Sequence, residues 1–378
     1  MSRSRRPLPA WADIVAVPIA NLVLALAVAG TIVLAIGVNP LEALRIMLVG
    51  AFGSPEAVGY TLYYATNFVF TGLAVALAFH AGLFNIGCEG QAYLGGLGAG
   101  LVALGFDAAL PPILLMPLAI AAAAAFGAAW AAVPAWLQAH RGSHIVITTI
   151  MFNFIAAALM VYLLVNVLIA PGQMSPESRS FGPAAELPAL HEMLGALGVA
   201  IASSPLNLSI LLAALCCVGV WALLWGTPLG YEIRAFGHSP QAAVYAGIDP
   251  RRVTMIAMCL SGALAGFVGV NEVLGVHHRL ILNFPGGYGF AGIAVALMGQ
   301  SHPFGIVLAS LLFGALYQGG AELAFEIPSI TRDIVAVMQG LVILVSGALA
   351  NMTRGWLERL VALLPARHAP GAAAAQKA

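Results

Sequence analysis

Few residues here have chemistry to offer. In the stretch HAGLFNIGCEGQAYLGG, residues 80–96, Asn85, Glu89 and Gln91 sit among glycines 87, 90, 95 and 96 in an otherwise apolar run. A carboxylate at the centre of a bilayer costs from about 3 kcal/mol upward, so it faces a bundle interior or an aqueous path rather than lipid. Glycines let backbones approach closely or let a helix break, and a break frees amides and carbonyls to meet a ligand. Three roles fit the stretch: an element lining a path, a polar clamp between helices, or an interfacial turn outside the hydrocarbon. Phe152 with Asn153, and Asn271 with Glu272, repeat the pattern in other apolar runs. Amides, a carboxylate and a ring suit a ligand with hydroxyls and a stackable plane; for Asn153 an interhelical hydrogen bond of about 1 kcal/mol is the equal alternative. Gln318 and Glu322, in YQGGAE, fit an interfacial position.

Catalytic and nucleotide-binding signatures are missing. There is no GxxxxGK[ST] phosphate loop, and the one lysine is Lys377. Without that cradle the chain binds no ATP in the usual way. No HExxH or GxSxG occurs either, which argues against hydrolysis on this chain and for transport driven from elsewhere. Cys88, Cys216, Cys217 and Cys259 lie in or beside apolar runs without metal-ligand spacing, so they read as small core residues; no metal or cofactor is expected. The formal charge is zero, which gives no reason to expect a nucleic-acid partner.

The elements that position these residues are membrane helices. The 378 residues are 61% hydrophobic and 8% charged, with 42 glycines, whereas soluble domains carry about 25% charge. The fold class expected is all-α, a polytopic transmembrane bundle. Apolar runs of spanning length fall near 14–37, 60–80, 84–105, 113–137, 145–169, 206–226, 253–276, 287–300, 303–323 and 333–350, about ten in all. The eighth is short and opens with NFPGGYG, which predicts a broken or re-entrant helix, tolerated where it is buried in protein or lines a cavity. Arg3, Arg5, Arg6, Arg141, Arg234, Arg251, Arg252, Arg354, Arg359, Arg367 and Lys377 collect on one side if the N-terminus is inside. Arg45, Arg179, Arg279 and Arg332 then lie outside, so both termini are expected in the cytoplasm. The organisation expected is an N-terminal segment 1–13, a membrane domain 14–352 and a disordered tail 353–378. The start reads as an uncleaved first helix rather than a signal peptide. The proline-rich insertion 171–205 reads as an outer loop, ordered by contact, that faces a soluble partner.

The inner loop 227–252, TPLGYEIRAFGHSPQAAVYAGIDPRR, brackets a short helix. Ser239 suits the N-cap, Pro240 the first turn and Gly247 the stop. About two turns cannot persist alone in water. The surface expected to be exposed, Ala242, Ala243, Val244, Tyr245 and Ala246, is small and apolar. It fits a groove on another protein, or packing on the chain's own bundle.

GYEIRAFGHSPQAAVYAGI closely resembles the coupling loop of permease subunits of bacterial ABC importers, in the branch with ribose, branched-chain amino acid and nucleoside systems. FNIGCEGQAYLGG, GYGFAGIAVALMGQSHPFGI and GALYQGGAELAFEIPSITRDIVAVMQGLVIL resemble the guanosine-type nucleoside permeases in particular. The similarity covers roughly residues 14–350. His144, in RGSHIVITTIMFNFIA, stands where many such permeases have Glu. The resemblance implies an inner-membrane permease for nucleosides or related bases, with simple sugars or branched-chain amino acids as the alternative cargo; a secondary carrier, which needs no ATPase, is the rival from another class. The permease's partners would be two cytosolic ATPases, a second permease subunit, an extracytoplasmic binding protein and membrane lipid. The residues expected to line the path, from their chemistry in apolar runs, are Asn85, Glu89, Gln91, Phe152, Asn153, Asn271 and Glu272. The resemblance assigns ATPase coupling to Glu232, Arg234, Gly237, Ser239, Pro240, Ala243, Tyr245 and Gly247.

Overall fold

The computed structural model describes residues 17–345 apart from 197, 199–201, 332 and 343. The expected segments 1–13 and 353–378, and the end of the tenth apolar run, lie outside the described residues.

Helices dominate, and their starts are written in the sequence. Asn39-Pro40, Ser54-Pro55, Thr227-Pro228, Ser239-Pro240 and Asp249-Pro250 each open one, the side chain accepting an N–H of the first turn. A cap followed by Pro satisfies one orphan donor and supplies a residue that needs none. The order is α1 (Val17–Ala35), α2 (Pro40–Phe52), α3 (Pro55–His80), α4 (Cys88–Phe106), α5 (Pro112–Arg141) and α6 (Ile145–Asn166). Then come α7 (Leu190–Ala196), α8 (Ser209–Gly226), α9 (Pro228–His238), α10 (Pro240–Tyr245), α11 (Pro250–Gly266), α12 (Tyr288–Met298) and α13 (Pro303–Glu326). A last helix, α14, covers Asp333–Val342.

The chain is the polytopic helical bundle expected. Among the described residues, six helices are long and apolar enough to cross a membrane, or up to seven if α1 and α2, bent by 117° at their junction, form one broken span. The expectation of about ten runs counts α4, α12 and α14, which length and hydropathy alone do not qualify. The end of the bundle with Arg141, Arg234, Arg251 and Arg252 is called basal below, and the other distal.

Burial separates interior helices from the rest, and α4, buried throughout Cys88–Gly100, is one of them. The apolar window of α3 is 83% buried and that of Pro250–His277 67%, against 22–28% for α5, α6 and α8, which form the lipid-facing wall. Lipid tails are as apolar as Leu, so the close contacts use small residues. A side chain on Gly95 would strike the backbone of Gly266, and one on Gly127 that of Gly262.

The interior interrupts its helices twice. After α3 ends at the basal side, residues 81–87 run back inside the bundle before α4 begins. α11 continues into a π-helical segment, Val270–His277. The chain then turns back as non-helical backbone until α12 starts. With 11 residues, α12 rises only about 16 Å, so its N-terminus lies roughly halfway through the bilayer. It is the interrupted helix that NFPGGYG foretold.

Candidate functional site

The first polar group closes the 81–87 interruption. Asn85 has no exposed surface. Its amide donates to Ser261 Oγ at 2.8 Å and Gln91 Oε1 at 2.9 Å, while its Oδ1 accepts from Gly87 N at 2.9 Å and Gln91 Nε2 at 3.2 Å. Ser261 donates onward to Ala74 O at 2.6 Å, which ties the returning chain to α3. Asn153, on α6, accepts from Gly90 N at 2.8 Å and donates to Ile86 O at 2.9 Å. These side chains replace the helical partners that the break removed. Phe152 packs on Trp130, ring centroids 5.1 Å apart, and its carbonyl accepts from the indole N–H.

Glu89 joins two helix ends. It stands at the second position of α4, and its carboxylate reaches the start of α12: Oε1 accepts from Gly287 N and Oε2 from Gly289 N, both at 2.8 Å. Two N-termini, each carrying partial positive charge, thus share one anion. A Cβ on Gly289 would overlap the Glu89 backbone, so glycine is required for the approach. Beside it Tyr93 donates to Asn283 Oδ1 at 3.0 Å.

The second group lies nearer the distal end. Glu272, 2% exposed, accepts at Oε1 from Tyr63 Oη at 2.6 Å and from Asn67 Nδ2, and its Oε2 is 3.5 Å from His277 Nε2. Asn271 accepts from Asn207 Nδ2 and Ser209 Oγ, both at 2.8 Å, and donates to Asn67 Oδ1 at 2.9 Å. Both adjacent residues of the π segment are buried, and such segments recur at functional sites. Tyr64, Phe68, Tyr288, Phe313 and Tyr317 pack as one aromatic body between α3, α12 and α13.

The expected path residues therefore fall into separate hydrogen-bonded groups, with Phe152 apart from Asn271 and Glu272. The sequence reading passed over Tyr63, Asn67, Asn207, Ser209 and the aromatic body. Asn67, in YATNFVF, carried a usable signal, since an amide inside a membrane helix needs a partner.

At the basal end, α9 and α10 form the bracketed loop. Ser239 Oγ caps Ala242 N, Pro240 follows, and Gly247 takes φ +85°, as its role as a stop requires. Arg252 lies 3.9 Å from Glu232, and the Arg234 guanidinium 5.9 Å from the Trp225 ring centre. His144 N-caps α6 without a side-chain bond. One expectation is corrected: Ala243 is not on the exposed surface but 3% exposed, because the helix must lean its small face on its own bundle. The outward face carries Val244, 52% exposed, and Tyr245, 94% exposed.

At the distal end the 171–205 insertion is laced down. Arg179 makes a two-pronged bond to Asp107, at 2.7 and 3.0 Å, and Gly182 N donates to the same carboxylate at 2.7 Å. The Arg179 bond, helped by Gly182, holds the Asp107 carboxyl at about 2. Ser178 N and Phe181 N donate to Leu280 O and His278 O.

Known proteins place this architecture. The model of the family described as branched-chain amino acid transport system / permease component matches residues 57–347. The guanosine ABC transporter permease protein NupP of Bacillus subtilis is 36% identical over 324 residues, covering 84% of this chain and 90% of its own. The glucose ABC transporter permease protein TsgB13 of Haloferax volcanii is 35% identical over 342 residues, 90% of this chain and 88% of its own. The nucleoside ABC transporter permease protein NupB of Lactococcus lactis is 32% identical over 333 residues, 87% and 89%. No solved structure matches. The resemblance read from the coupling loop and its companion blocks is thereby borne out, and the chain belongs to the family of branched-chain amino acid transport system permease components.

Proposed function

We propose that the chain is the membrane subunit of an ATP-driven importer that carries nucleosides or related bases across a bacterial inner membrane, with both termini in the cytoplasm. The observation that carries the reading is the interruption at α12. Asn283 and Gly286 are exposed non-helical residues at a depth where lipid accepts no such backbone. This face needs a protein neighbour or a watery path beside it, and a second permease subunit across that path supplies both. Half-buried Tyr64 and Tyr317, their rings 5.9 Å apart, offer ring surface beside α12. Stacking on aromatic side chains contributes about 1–3 kcal/mol per base. Asn85, Glu89, Gln91, Phe152, Asn153, Asn271 and Glu272 serve the path as its frame, their polar atoms held by the chain itself.

Energy enters at the basal end. Val244 and Tyr245 project from a capped helix too short to stand alone, which fits insertion into a groove on each of two cytosolic ATPases. An extracytoplasmic binding protein delivers cargo at the distal end. A sugar cargo is the second reading, favoured by the similarity to a glucose permease; branched-chain amino acids are a third.

The test is uptake of labelled guanosine by cells with and without the chain, in competition with excess glucose, leucine or unlabelled nucleosides. Nucleoside-specific competition is expected. Uptake blocked by glucose or leucine but not by nucleosides would refute the cargo.

A further inference from the structure

Residues 80 and 89 flank the 81–87 interruption, and both hold α12. His80 Nε2 meets Ser301 O at 3.0 Å, in the turn that follows the basal end of α12. Glu89 holds the opposite end through Gly287 N and Gly289 N. The half-helix is therefore gripped at both ends by one ten-residue piece of chain.

That piece touches the coupling loop directly. A Cβ on Gly237, at the end of α9, would overlap His80 O and crowd Gly82 N, so the two backbones are in contact with nothing between them. Gly82 has φ +69°, and a Cβ there would lie 3.3 Å from Gly237 Cα. Glycine is thus required on both sides, for approach at one and for conformation at the other. A second contact runs parallel. Arg234 lies over Trp225, whose ring is 5.4 Å from that of His80 and 5.1 Å from that of His302.

We infer that residues 80–89 are the transmission element of the transporter: displacement of α9 and α10 passes through the Gly237–Gly82 backbone contact to Glu89 and repositions α12 against the cargo path. Backbone against backbone has no rotamers to absorb motion, so a shift of α9 moves residue 82 by a similar amount. Packed elements of this kind switch between discrete arrangements rather than deforming smoothly. Glu89 then carries α12 along, because both of its oxygens are committed there. Gly82, Gly237 and Glu89 are positioning residues, and the inference rests on ATPase docking at α10.

The experiment uses the assembled transporter, with its ATPases and second permease subunit, in vesicles. Gly237→Ala wedges a methyl group between the two backbones. ATPases are expected to stay bound and to hydrolyse ATP, while uptake per ATP falls about 5- to 150-fold, the usual span of coupling free energies. Gly219→Ala, where an added methyl meets nothing, is the control expected to transport normally. Wild-type uptake per ATP in Gly237→Ala overturns the inference, as does release of the ATPases by that variant. Tyr245→Asp separates the two readings. If it leaves the ATPases bound and coupled, docking at α10 is wrong; if it releases them while Gly237→Ala transports normally, docking stands and transmission through Gly237 fails. Should Gly237→Ala not accumulate, hydrogen exchange on the wild-type transporter decides. Trapping ATP on hydrolysis-deficient ATPases is expected to change protection at residues 81–91 and 286–291, and unchanged exchange at both overturns the inference.

Discussion

Glu89→Gln tests the joint between α4 and α12 with almost no change of shape. In the native chain each carboxylate oxygen accepts one backbone N–H at 2.8 Å, from Gly287 and from Gly289. Glutamine offers one oxygen and one NH2, so either orientation sets a donor against one of the two N–H groups. A buried donor left unpaired costs about 1–3 kcal/mol. Removing the charge from two helix N-termini costs roughly another 0.3–1 kcal/mol per end. Against this stands the relief of a buried charge, whose penalty has already been met in part by those same bonds. Taking the unpaired donor as the dominant effect, the seated state of α12 loses about 1–3 kcal/mol, or roughly 5- to 150-fold in its equilibrium constant. Thermal unfolding of the purified variant and hydrogen exchange at residues 287–291 read this out, together with uptake in vesicles. The variant is expected to unfold earlier, to exchange faster there and to transport poorly. A variant indistinguishable from wild type in melting and in exchange would refute the idea that Glu89 seats α12.

Glu272→Gln is expected to behave in the opposite way, because Tyr63 and Asn67 both donate to Oε1 and glutamine keeps that oxygen; only the 3.5 Å contact of Oε2 with His277 is changed. Glu272→Ala strands both donors and is expected to lower the melting temperature much further, and equal melting of the two variants would contradict this network; loss of uptake in the well-folded Gln variant would mark Glu272 as part of the path. At the distal end the Asp107 carboxyl sits at about 2, below its ordinary 3.8, so its pair with Arg179 adds stability that is complete above the ordinary value and is lost as pH falls through the lower one. Asp107→Asn is expected to speed exchange at residues 178–187 at neutral pH and to flatten the pH dependence between roughly pH 4 and 2, and unaltered exchange there would remove Asp107 as the anchor.

The sequence disclosed punctuation better than partnership. Ser239, Pro240 and Gly247 announce their helix because capping and positive φ are local demands, met within one turn of chain. NFPGGYG announced an interruption for the same reason. What it could not announce is that Glu89 meets Gly287 and Gly289, since contacts some 200 residues apart leave no local trace. The burial of Ala243 was illegible on similar grounds: a small apolar residue suits an inward face and an outward one equally. Asn271 and Glu272 stood out as expensive residues, but their burial together in a π segment depends on the packing of α3 and α8 around them.

The placing of polar groups follows from the solvent. In water an interrupted helix satisfies its loose amides at no structural cost; at membrane depth each must find a protein partner. Asn85, Gln91 and Asn153 are consumed by one interruption, and Glu89 by the start of another. Polar side chains so engaged have little left to offer a passing solute. On the proposed function, cargo contacts come instead from exposed backbone near Gly286, from ring faces such as Tyr317, and from the facing subunit. A surface of that kind holds its cargo loosely, which suits a protein that must let go of it. On the proposed function, discrimination between nucleoside and sugar rests on the extracytoplasmic protein more than on this chain, in keeping with similarity at about a third identity to both a glucose permease and a guanosine permease.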